Sequence, residues 1–158
     1  MKDERLAFEK IMGILDEVLG KMGSMHALPL DFGTGVALYR TEIHTIQAIG
    51  KNPGVNVTQL AEHLGVTKGA VSQMVAKLVG KGLARKKHTQ DDAREILLEL
   101  TDLGWTGFHA HEQFHMEMFE TVREYLGDEF ESKSEMFLTV MTDLSRILAR
   151  FEERGLGR

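Results

Sequence analysis

Residues 109–118 read HAHEQFHMEM and place three histidines within seven positions. His111, Glu112 and His115 satisfy H-E-x-x-H. In that arrangement two imidazoles on one helix face ligate zinc and the glutamate between them activates water. Four-residue spacing on a helix brings the two side chains together, roughly 5–6 Å apart at Cβ. Imidazole suits zinc, nickel, copper and iron. A hydrolytic centre also needs a third ligand and a substrate cleft. No histidine follows His115, which leaves Glu117, Glu120 or Glu124 as third ligand. The strands ahead of the motif read as a small hairpin and show no cleft. A zinc hydrolase with Glu112 as base is therefore the remote reading, and the histidines have to be placed by the elements around them.

Those elements follow from apolar spacing and from Gly, Pro and cap residues. Residues 3–22 carry Phe8, Ile11, Leu15, Val18 and Met22 at helical intervals, and residues 23–35 read as a loop. Thr41 is the expected cap of a helix to about Lys51, stopped by Asn52-Pro53-Gly54. Thr58 starts a short helix over 59–64, which Gly65 breaks. Thr67 caps a second helix from Lys68 to about Lys81, and Gly82 ends it. Residues 83–89 and 96–100 form a hairpin around the turn 90–94. Thr101 caps a helix over 102–126, and residues 128–153 form the last one, striped with Phe137, Val140, Met141, Leu144, Leu148 and Phe151. The expected fold is mainly α with a small β-hairpin, read as a single domain, 1–158.

Composition narrows the chemistry. The chain has 158 residues, 42% of them hydrophobic, and no cysteine. This excludes disulfides, thiolate ligands and thiol redox sensing. No apolar run approaches a membrane span, so the expected location is cytoplasmic. The net charge of −5 hides an asymmetry. Residues 67–94 hold Lys68, Lys77, Lys81, Arg85, Lys86, Lys87 and Arg94 against Asp91 and Asp92, a basic centre between acidic arms.

The Leu64-Gly65-Val66-Thr67 corner joins two helices as a helix-turn-helix. Val57, Leu60, Ala61, Leu64, Val66, Val71, Val75 and Leu78 are the apolar set that packs them. Thr67, Lys68, Ser72, Gln73 and Lys77 remain for bases and phosphates. Lys86, Lys87 and Arg94 on the wing complete the expected DNA-binding residues, with arginine suited to a narrow minor groove.

The run from Gly54 to Gly104 resembles the winged-helix core of MarR-type transcriptional regulators. Thr58 to Thr67 fits "T-x-x-x-L-A-x-x-L-x-[VI]-[ST]". Val71, Ser72, Val75, Leu78, Gly82 and Leu83 fit the next motif. Asp92 and Arg94 fit the wing "D-x-R", and Leu100, Thr101 and Gly104 fit "L-T-x-x-G". The resemblance implies a winged helix-turn-helix domain with a small β-wing, flanked by N- and C-terminal dimerisation helices. Residues 36–101 would be the DNA-binding core, and 1–35 and 102–158 the dimerisation helices and loop. The implied assembly is a homodimer with intertwined terminal helices, bound to a pseudo-palindromic double-stranded operator.

A narrower resemblance, to the zinc-responsive branch of that family, concerns the histidines. His44 falls on the second-helix histidine of that branch. His111 and His115 fall on its i, i+4 pair, and His26 falls where it uses a carboxylate, with Asp31 or water as a substitute. The resemblance implies one metal site per subunit, His26, His44, His111 and His115, holding zinc, with nickel the alternative metal. His109 and Glu112 would lie in the surrounding shell. The implied function is a homodimeric regulator, a repressor, whose DNA affinity is set by the metal bound between dimer core and winged domain. The competing reading keeps the architecture and replaces the metal with a small aromatic effector. A third, a helical interaction module, has no DNA role.

Overall fold

Asn56 shows how locally this fold is written. Its Oδ1 accepts from the backbone N–H groups of Thr58 and Gln59, both at 3.0 Å. Gln59 Oε1 returns the bond to the Asn56 N–H at 3.0 Å. This reciprocal cap satisfies donors that a helix start leaves open and begins the helix at Val57. The structure, a computed structural model, describes residues 2–88 and 96–155, without the side chains of Lys2, Met25, His26 and Glu152. Its elements are α1 (Lys2–Ala27), α2 (Arg40–Lys51), α3 (Val57–Leu64), α4 (Lys68–Gly80), β1 (Ala84–His88), β2 (Ile96–Leu100), α5 (Asp102–Leu126), a short 3-10 turn (Gly127–Glu129) and α6 (Phe130–Glu153). The mainly helical, two-stranded winged fold is as expected.

Four local expectations need correction. α1 runs on to Ala27 through Gly23 and Ser24; the Ser24 hydroxyl donates to Gly20 O at 3.0 Å, so these residues are absorbed without an open polar group. Tyr39, not Thr41, precedes α2, and the Glu42 carboxylate accepts its N–H at 2.9 Å. Asn56 takes the role given to Thr58. Val66 is 42% exposed and stays out of the core. The wing turn, with Asp91, Asp92 and Arg94, lies outside the described residues.

The chain divides into two units, residues 1–113 and 114–158. In the first, Leu60, Val71, Val75 and Leu78 from α3 and α4 are buried with Ile43, Ile46 and Ile49 from α2 and with Leu83, Leu98 and Leu100 from the wing. Gly65 makes the corner at φ 64°, in the left-handed region that glycine enters freely. Thr67 Oγ1 caps α4 by accepting from Ala70 N at 3.2 Å. β1 and β2 pair antiparallel, with Arg85 opposite Glu99 and Lys86 opposite Leu98.

The start of α5 is pressed against this core. Thr101 donates to Gly82 O at 2.6 Å and caps Gly104 N at 3.1 Å. A Cβ at Gly104 would overlap the Leu83 carbonyl oxygen, and one at Gly50 would overlap the Phe108 ring. Glycine at these two positions lets the first turns of α5 sit against α2 and Leu83. The second unit holds the latter part of α5 and α6, where Phe119 and Phe130 meet edge-on at 5.7 Å between ring centres. Among the described residues no helix is long and apolar enough to cross a membrane.

Candidate DNA-reading face and histidine pair

α4 is divided lengthwise. Val71, Val75 and Leu78 are sealed, while Thr67, Lys68, Ser72, Gln73 and Lys77 are exposed. Burial of one stripe fixes the rotation of the helix, so its opposite face is displayed as a rigid array of hydroxyl, amide and ammonium groups. Among the described residues Lys68, Lys77 and Lys86 form no ion pair, and they are available to an external anion.

Three other members of the basic centre are already engaged. Lys81 Nζ donates to Glu42 Oε2 at 2.7 Å and to Ala37 O at 2.9 Å. The Glu42 side chain is 5% exposed. This tie holds the C-terminal end of α4 to the start of α2, and an isolated partner left there would be costly. Arg85 and Lys87 both donate to Glu99. Their bonds hold the Glu99 carboxyl below its usual range, Lys87 first and Arg85 second. Charge counting along the sequence gave no sign of these ties, because Glu42 and Glu99 lie 39 and 14 residues from their respective partners Lys81 and Arg85.

The histidines are distributed unevenly. His44 on α2 and His111 on α5 are brought together, with ring centres 5.4 Å apart and planes inclined by 56°. Two imidazoles sharing a tetrahedral zinc at Zn–N of ~2.0–2.1 Å have ring centres about 5 Å apart, so the pair fits two of the four expected ligands. His111 is buried and Phe32 meets it edge-on at 5.4 Å, a contact that no sequence pattern announces. His115 is exposed in the second unit, its ring 6.0 Å from Phe114. The side chain of His26 lies outside the described residues. Among the described residues no group of three or more His, Cys, Asp or Glu side chains is arranged to hold a metal. Asp31, the expected substitute ligand, has its Oδ1 occupied by Thr34 N at 2.8 Å and Gly35 N at 3.1 Å. Glu112 pairs with Lys51 at 3.0 Å, and His109 stacks on Trp105 at 5.7 Å.

Gln47 is a second residue that the sequence does not single out. It lies one turn beyond His44, donates to Phe108 O at 2.8 Å, and is 8% exposed. Its Oε1 is buried without a hydrogen-bond partner among the described residues. No periodicity identifies such a group, since glutamine on a helix is ordinarily a surface residue.

A helix-turn-helix with an antiparallel wing and a free polar face on its second helix defines the class: a winged helix-turn-helix protein. Comparison with known proteins agrees. The MarR family model matches residues 38–95. The HTH-type transcriptional regulator YhjH of Bacillus subtilis is 31% identical over 107 residues, 68% of this chain and 60% of the regulator; the chain thus spans less than two thirds of that relative. FabT of Streptococcus pneumoniae, solved in complex with DNA, superposes with a TM-score of 0.73 at 25% identity over 89% of this chain and 99% of FabT. ZitR of Lactococcus lactis, a zinc-responsive MarR family member, superposes with a TM-score of 0.62 at 20% identity over 84% of this chain and 97% of ZitR. Residues 38–95 thus match the MarR family model, and the fold resembles that of solved MarR family regulators. Proteins of this family are transcription regulators, not enzymes, and HEQFH is here a helix segment whose glutamate is engaged by a lysine.

Proposed function

We propose that the chain is a homodimeric, sequence-specific DNA-binding regulator, acting as a repressor in the cytoplasm, with residues 36–101 as its reading core. The observation that carries this reading is the divided α4: a sealed stripe of Val71, Val75 and Leu78 opposite exposed Lys68, Ser72, Gln73 and Lys77. Gln73 can bond adenine bidentately, and Lys68 and Lys77 suit guanine or phosphate. Lys86 and Arg94 add wing contacts. Homodimerisation is supported by the apolar residues left exposed on the terminal helices, among them Phe8, Ile11 and Ile14 on α1 and Phe137, Leu138 and Leu148 on α6.

The finer reading is metal control. Zinc is held by His44 and His111, and the support is the converging His44–His111 pair together with the zinc response of ZitR. When bound, zinc supplies a cross-link between helices and no reaction. His44 and His111 fix α2 against α5, and α2 is tied to α4 through Glu42 and Lys81. Fixing that assembly in one geometry couples metal and DNA reciprocally, typically by ~1–3 kcal/mol.

The test is selection of an operator from a random duplex library, followed by titration of the selected DNA with zinc, with a chelator and with salicylate-like anions. Zinc is expected to tighten binding and the chelator to loosen it. Indifference to both, with release by the aromatic anion, replaces the metal by an organic effector. Failure to select any sequence overturns the regulator reading.

A further inference from the structure

Glu99 lies near the end of β2, directly opposite Arg85 in the hairpin register. Its Oε2 accepts from Arg85 Nε at 3.1 Å and Nη2 at 3.0 Å, and its Oε1 accepts from Lys87 Nζ at 2.9 Å. Strand alternation puts Arg85 and Lys87 on the face of the hairpin away from buried Ala84, Leu98 and Leu100. The Arg85 and Lys87 side chains are 66% and 62% exposed, that of Glu99 26%. A guanidinium and an ammonium converging on one two-oxygen anion are the donor set that binds a phosphodiester. Lys86, on the other side of the same strand, forms no ion pair among the described residues.

We propose that Arg85 and Lys87 form a DNA-phosphate site on the wing which Glu99 occupies as an internal phosphate mimic, lowering the affinity of the wing for DNA of any sequence. The inference rests on the DNA-binding reading and adds Arg85 and Glu99 to its residues. Its physical basis is competition. Phosphate contacts supply the sequence-independent part of binding and release counterions. A carboxylate that already pairs with two cations removes part of that gain, since DNA must displace it first. Base contacts from α4 are untouched, and the phosphate contribution falls equally for operator and random DNA.

The experiment measures binding of the full chain to a random-sequence duplex by fluorescence anisotropy across a potassium chloride series. Glu99→Gln keeps the side-chain shape and removes the charge; Glu99→Thr, well suited to a strand, serves as an independent second variant. Both are expected to bind random DNA several-fold more tightly. The plot of log affinity against log salt should steepen by about 1 for each additional phosphate that the wing neutralises. In the Glu99→Gln background Arg85→Ala should reverse the gain, whereas in the wild type it should change little. Wild-type affinity and slope in both Glu99 variants overturn the inference and leave the regulator reading standing. No binding of random or selected DNA by the wild type or either variant overturns both.

Discussion

The winged core and the terminal helices solve the same problem differently. In the core the apolar residues of α2, α3, α4 and the wing seal one another, and Leu60, Val71 and Leu78 are 0% exposed. On α1 and α6 the residues in equivalent helical stripes stay open: Phe8 is 61% exposed and Phe137 67%. Both regions carry the same kind of periodic pattern. The pattern specifies which face of a helix is apolar and says nothing about whether the covering surface comes from the same chain. In the core it does, so the polar face of α4 is fixed as an exposed surface. On the terminal helices the open stripe is what a second copy would cover.

Substitutions at matched apolar positions separate the two cases. Leu78→Ala in the core should cost about 2–5 kcal/mol of stability, read as a large drop in the thermal midpoint. A change within error would mean that the core does not carry the fold. Phe137→Glu on α6 should act on association instead, weakening the dimer about tenfold or more (~1.4 kcal/mol or above) in sedimentation equilibrium. An unchanged oligomeric state would break the contrast between a sealed and a borrowed core.

Metal occupancy sharpens it further. His44 and His111 converge within the first unit; purified protein never exposed to a metal-affinity matrix should carry zinc, and His111→Ala should lose it. Equal zinc content in the two proteins removes His111 from the ligand set.

The smallest expected effect lies on the wing. The Glu99 carboxyl is held below the usual carboxylate range, chiefly by Lys87 and then Arg85. A depressed folded value means that the pairing stabilises the native wing above the unfolded carboxylate value and is lost as pH falls through the lower, folded one. A side-chain NMR titration of Glu99 should give a midpoint below the ordinary range; a midpoint within or above it contradicts the pairing.

Much of this architecture was legible because its signals are local. Thr67, Gly65, Gly82 and Thr101 each act through bonds or backbone angles within a few residues, and the spacing of Val71, Val75 and Leu78 fixes the α4 face. Caps that need an unusual partner were less legible. Tyr39 precedes α2 because Glu42 reaches back to its N–H, and Thr41 is the more conventional cap residue. Contacts across large sequence separations were not legible at all. Lys81 and Glu42, and Gln47 and Phe108, meet only when the helices are packed, and Arg85 meets Glu99 only in the register that the hairpin adopts. Of the four histidines that the family resemblance singled out, the fold brings His44 and His111 together. Glu112, the catalytic letter of H-E-x-x-H, is taken up by Lys51.

The most direct test of the central claim is the salt dependence of operator binding by the wild type, Lys68→Ala and Lys77→Ala. If the exposed face of α4 reads DNA, each substitution weakens binding, and each phosphate no longer neutralised makes the slope shallower by about 1. Wild-type affinity and slope in both variants would contradict the assignment of α4 as the reading helix.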